Sequence, residues 1–132
     1  MKKLIIILVT CFPLFCTAGW KEVSKNVEYT SYYVDAEKLK RAGKFVFIWY
    51  LVDHVEPRNT GDMSEIHYLK ILCRDMRYMR LKSIYFGGNM GMGQITDDYV
   101  PLNFDQWQFP REGTAFSIVV GYACGLAEME NY

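Results

Sequence analysis

The sequence predicts an α+β domain, an antiparallel sheet closed by a C-terminal segment that a disulfide ties to it. Three observations carry this expectation. Two consecutive runs, Ile66 to Arg74 and Met76 to Phe86, place alternate side chains on opposite faces, the period of strands with one covered face. The run KFVFIWYLV, Lys44 to Val52, is almost wholly apolar and fits a central strand with both faces covered. Of four cysteines, two fall in an N-terminal leader, which leaves Cys73 and Cys124 as an even pair for the folded part.

The leader comes first. MKKLIIILVTCFPLFCTA has two lysines, an apolar stretch from Leu4 to Phe15, and small residues at Cys16 and Ala18. That is the make-up of a secretory signal peptide, and the apolar stretch is too short to span a bilayer. Cleavage is expected after Ala18, so residues 1–18 are the signal and residues 19–132 a single domain without a transmembrane segment. Thr10 before Cys11 and Phe15 before Cys16 do not fit a lipidation site. Loss of Lys2 and Lys3 takes the 15 basic residues to 13, against 15 acidic, so no overall charge draws the chain to nucleic acid. In an oxidising compartment Cys73 and Cys124 are expected to pair, and neither has a neighbour at zinc-ligand spacing.

Trp20 to Val23 and Thr30 to Val34 read as short strands, rich in aromatic and β-branched residues. DAEKLKRAG, from Asp35 to Gly43, reads as one helical turn or a broad turn. DHVEPRNTGDMS, Asp53 to Ser64, is the loop richest in breakers. In the next strand His67, Leu69, Ile71 and Cys73 face inward, with Tyr68, Lys70, Leu72 and Arg74 opposite. In the following one Met79, Leu81 and Tyr85 share a face, with Tyr78, Arg80 and Lys82 opposite. The closing segment REGTAFSIVVGYACG reads two ways. Ile118-Val119-Val120 favours a strand, whereas Phe116, Val119, Val120, Ala123 and Cys124 form a helical stripe that Thr114 could cap and Gly125 end.

YFGGNMGMGQI holds four glycines in seven residues, from Gly87 to Gly93. A phosphate loop would need a lysine and a hydroxyl residue after its last glycine, but Gln94 and Ile95 stand there; the dinucleotide fingerprint lacks its third glycine at Thr96. Gly87, Gly88, Asn89 and Gly91 therefore read as a structural turn. Asp53, His54, Glu56 and Asp62 could offer metal ligands from one loop, without a diagnostic spacing. No nucleophile elbow occurs, so neither an enzyme, a cofactor nor a metal is expected. What remains is a surface: Lys70, Arg74, Arg80 and Lys82 with Tyr68 and Tyr78, a basic and aromatic patch suited to anionic partners. The competing reading is an ordinary solvated sheet face.

The sequence resembles the surface-adhesin protein E family of Gram-negative bacteria. The likeness runs from Trp20 to Gly125 and rests on YYVDAEKLKRAGKFVFIWYLVD, the strand ending at Cys73, GGNMGMGQI, Trp107 before Pro110, and the segment ending in Cys124. PREGT, Pro110 to Thr114, stands where the family usually has proline-glycine-serine. The resemblance implies an antiparallel sheet with a C-terminal helix on one face, tied by Cys73–Cys124. It also implies a module exported to the periplasm or outer cell surface that binds protein or glycan, with adhesion to host matrix as its specific form. The alternatives are an envelope structural or assembly factor without a host ligand, and a metal-dependent enzyme built on the Asp53–Asp62 loop. Oligomeric state is open.

Overall fold

The computed structural model describes residues 19–129; the expected signal peptide lies outside them. Among the described residues seven strands form one antiparallel sheet: β1 (Trp20–Lys25), β2 (Ser31–Asp35), β3 (Lys40–Ala42), β4 (Phe45–Asp53), β5 (Ser64–Leu72), β6 (Arg77–Phe86) and β7 (Ile95–Tyr99). Their spatial order is β1-β2-β4-β5-β6-β7, with β3 also beside β4. β2 pairs with the second half of β4 and β3 with the first, so the two flank the same side of one long strand. Between them DAEKLKRAG supplies a single 3-10 turn, Ala36–Lys38, where Asp35 makes no side-chain cap.

The closing segment is a helix, α1 (Ala115–Met129), laid across β1, β2 and β4. The Ser117 amide donates to Thr114 Oγ1 at 3.1 Å, which caps the first turn as the sequence suggests. Gly125 does not end the helix. Leu126 and Ala127 add a turn to its inward stripe, so burial outweighs the glycine's preference to stop. Val119, Val120 and Ala123 meet Val34, Ile48, Leu69 and Ile71, all without solvent exposure. Small residues on the stripe let the helix approach closely, and the Cys73–Cys124 disulfide, with Cα atoms 5.7 Å apart, fixes it.

One expectation about β4 needs correction. Its helix-facing residues are buried, but Phe45, Phe47 and Trp49, on the other face, are half-exposed. A single helix covers one face of the sheet; loops cover only the ends of the other. At one end the glycine segment folds back. Asn89 Nδ2 and the Met90 amide both donate to Asp53 Oδ1, at 3.0 and 2.8 Å, and the Gly91 amide donates to Ser64 Oγ at 2.9 Å. Gly91 has φ +69°, and a Cβ there would stand 2.8 Å from Ile66 Cδ1.

Gly91→Val is therefore expected to destabilise by about 2–3 kcal/mol in urea denaturation, from strain at positive φ plus the clash. Gly121→Ala, in open space inside α1, should change stability in the opposite direction by about 0.5–1 kcal/mol. At the sheet's far side β7 pairs with β6, and all five of its residues are exposed.

Candidate functional site: an aromatic sheet face

β4 places Phe45, Phe47 and Trp49 at every second position, and the β4–β5 register sets Leu72, Lys70 and Tyr68 beside them in turn. Cross-strand neighbours on one face touch. The Trp49 and Tyr68 rings stack at 4.4 Å, Phe47 lies 6.0 Å from Tyr68, and Trp107 stacks on Phe45 at 5.9 Å. Lys70 Nζ sits 4.2 Å from the Phe45 ring centroid and 5.9 Å from that of Trp107, a cation held over aromatic faces. Lys82 pairs in register with Tyr68 and forms an ion pair with Asp98 at 3.3 Å. The result is a half-exposed aromatic strip edged by two lysines, open between the glycine segment and the Trp107 loop.

The patch expected from sequence does not assemble as one surface. Tyr68, Lys70 and Lys82 share the open face. Tyr78 and Arg80 lie on the opposite, helix-covered face, since they pair with Ile71 and Leu69; Arg74 stands in the β5–β6 turn, bonded to Asp75. The cause is a β-bulge: β5 runs without interruption from Tyr68 to Leu69 while β6 skips from Lys82 to Arg80, leaving Leu81 unpaired. One extra residue inverts the alternation beyond it, which also moves Met79 to the open face beside Lys70, whereas Tyr85, before the bulge in pairing with Glu65, keeps the inner face expected for it.

Phe45, Phe47, Trp49 and Trp107 are site residues that the sequence reading missed. A signal was present within KFVFIWYLV. Large aromatics alternate with the aliphatics Val46 and Ile48, a period-two difference in size within a run that is uniformly apolar.

Beneath the helix-covered face lies a polar cluster. Glu65 accepts from Arg58 Nη1 at 2.7 Å and from His67 Nε2 at 3.2 Å, and His54 Nε2 is 3.5 Å away. Burial alone would raise its pKa, but the hydrogen bond from His67 and the positive charge of Arg58 outweigh it and hold Glu65 at about 2. Burial lowers His67, Arg80 adds to this, and the ring stays neutral. Its Nε2–H then donates to Glu65, and Nδ1 accepts from the Ser83 hydroxyl at 2.7 Å. Arg80 Nη2 donates to the Tyr50 hydroxyl at 2.7 Å, and its guanidinium packs 5.3 Å from the Phe116 ring.

Two carboxylates of the Asp53–Asp62 loop, Asp53 and Asp62, are engaged in structure. Asp53 holds the glycine segment, while Asp62 accepts from Thr60 Oγ1 at 2.7 Å and Thr96 Oγ1 at 2.5 Å. Among the described residues no three histidine, cysteine or carboxylate side chains gather as a metal-holding group.

Fold and site together define a small disulfide-bonded sheet protein with a half-exposed aromatic strip on the sheet face opposite its helix. The chain belongs to the Surface-adhesin protein E family, whose profile matches residues 20–125. Its fold is similar to that of Haemophilus influenzae protein E. Crystal form II of that protein shares 17% identity over 82% of this chain and 88% of the other, with a TM-score of 0.58. Protein E from non-typeable Haemophilus influenzae is 17% identical over 82% of this chain and 76% of the other, with a TM-score of 0.55. No curated protein matches the chain.

Proposed function

We propose that this family member is an exported binding module acting at the bacterial cell surface, and that it grips protein or glycan through the open aromatic face. One observation carries the reading: Phe47, Trp49 and Tyr68 are half-exposed side by side, with Lys70 and Lys82 at their edge. Aromatic side chains with a wet face bind sugar rings and apolar side chains at low entropic cost, and the lysines add affinity for acidic groups. Family membership supports adhesion as the use of that surface. Among the described residues no helix is long and apolar enough to cross a membrane.

The test uses the oxidised protein starting at Gly19, with immobilised matrix proteins and sulfated glycans as probes. Trp49→Ala with Tyr68→Ala is expected to weaken binding at least about tenfold, the scale of losing an interface hot spot. Lys70→Glu with Lys82→Glu should weaken it and flatten its salt dependence, with little change in melting temperature. Arg74→Glu, on the turn, should leave binding unchanged. Full binding by both face variants, or cross-linking to a bacterial envelope protein with no matrix or glycan binding, would overturn adhesion through this face.

A further inference from the structure

Asp35, the last residue of the YYVD motif, is 1% exposed. A carboxylate buried so deeply needs a charged or hydrogen-bonding partner, because its desolvation otherwise goes uncompensated. Among the described residues its Oδ2 has one ion-pair partner, Lys38 Nζ at 3.8 Å, at the end of a side chain that is 65% exposed. Among the described residues its Oδ1 has no hydrogen-bond partner. Beside that oxygen lies Gly19. A Cβ on Gly19 would stand 2.7 Å from Asp35 Oδ1 and 3.2 Å from Glu37 Oε2, and φ there is +53°. The β1–β2 ladder pairs Trp20 with Asp35, which fixes Gly19 at this spot. Position 19 is therefore held against two carboxylates, and it accepts glycine alone without strain.

We propose that export processing between Ala18 and Gly19 creates the partner that Asp35 Oδ1 lacks. Hydrolysis by a signal endopeptidase adds the oxygen of water to the Ala18 carbonyl carbon and breaks the C–N bond. It leaves a carboxylate on Ala18 and, at neutral pH, an ammonium on Gly19. An amide nitrogen at Gly19 carries one proton and no charge. The ammonium carries three protons and a positive charge, and it docks on Asp35 with Glu37 alongside. Removal of the leader thus completes the mature fold, independently of what the aromatic face binds.

N-terminal sequencing of the exported protein should begin at Gly19. The processed protein is then compared with the same oxidised chain extended by one alanine. The processed form should melt about 5 °C higher, roughly the shift a single added ion pair gives a domain of this size. The gap should close in Asp35→Asn. If that variant does not fold, chemical acetylation of the Gly19 amine serves instead and should lower the melting temperature to that of the extended chain. A mature start elsewhere, or equal melting of processed and extended forms, overturns the proposal.

Arg80 carries a separate inference. It lines a cavity of about 240 Å³ with Tyr32, Glu65, Tyr85 and Phe116. Among the described residues no carboxylate forms an ion pair with it, and its buried Nε has no hydrogen-bond partner. Arg58 neutralises Glu65 and His67 is uncharged, so the cavity carries one unbalanced positive charge. We infer that it takes a singly charged, hydroxyl-bearing carboxylate, an acidic sugar. The carboxylate would meet the Arg80 guanidinium, hydroxyls would meet Glu65 and the tyrosines, and a ring face would meet Phe116. Glu65 would repel a doubly charged phosphate.

NMR titration with D-glucuronate and N-acetylneuraminate should shift signals of Tyr32, Arg80 and Phe116, with D-glucose, acetate and inorganic phosphate as controls. Arg80→Lys should weaken sugar-acid binding at least about tenfold, because lysine cannot reproduce the bidentate fork. Tyr32→Phe, which keeps the ring, should weaken it less. No shifts with either acid, equal response to phosphate or glucose, or unchanged binding in both variants overturns the assignment.

Discussion

Replacing Cys73 and Cys124 together by serine is expected to lower the free energy of unfolding by about 4 kcal/mol, the chain-entropy value for a loop of 51 residues. Few other single changes should cost as much. The helix contributes mostly small side chains to the interface, Ala115, Val119, Val120, Ala123 and Ala127, so it buries a modest apolar area per turn. Without the staple, its separation from β1, β2 and β4 would expose Ile48, Leu69 and Ile71. The measurement is urea denaturation of the oxidised protein against the double variant and against the reduced wild type. Agreement between the last two would place the loss in the covalent link, and a loss below about 1 kcal/mol would show that packing alone holds the helix.

The second large effect is acid lability centred on Glu65. Its folded pKa is depressed from 4.5 to about 2, so its stabilisation is complete above about pH 4.5 and disappears as pH falls towards 2. At 1.36 kcal/mol per unit this is up to about 3 kcal/mol, with little loss to solvent screening because the side chain is 13% exposed. His67 works in the same direction. Its folded pKa lies below the ordinary 6.5, so the unfolded chain takes up its proton first and stability starts to fall below about pH 6.5. Melting temperature should therefore drop continuously from about pH 6.5 downward. Glu65→Gln should melt lower at neutral pH and show a much flatter acid limb below pH 4.5, whereas an unchanged limb would place the lability elsewhere.

Much of the architecture was legible because its signals are local or compositional. The alternation in β5 assigned His67, Leu69 and Ile71 to the inner face correctly. An even cysteine pair behind an apolar leader was enough to predict the staple. The C-terminal segment was ambiguous, since β-branched preference and a helical stripe compete over the same residues, and packing against the sheet decides between them. The candidate site was less legible. Strand β6 reads as a clean alternation, but it holds a bulge at Leu81 that no single side chain announces, and that one residue separates Arg80 and Tyr78 from Lys70 and Lys82. The apolar character of KFVFIWYLV concealed that its two faces differ, since exposure depends on how many layers cover a sheet. The pairing of Glu65 with Arg58, His54 and His67 joins residues from a loop and a strand, which only the fold brings together.

Strand β7 has one further consequence. Among the described residues it leaves one side of its backbone unpaired, and such a row of free donors and acceptors is an open template on which another strand can add. Its sequence, ITDDY, sets Asp97 and Asp98 next to each other in the middle of that row. Should two copies approach rim to rim, the Asp97 carboxylates of both would crowd a single junction, next to Asp98, whose charge Lys82 offsets. Copies that meet at this margin would thus repel one another instead of fusing into fibres.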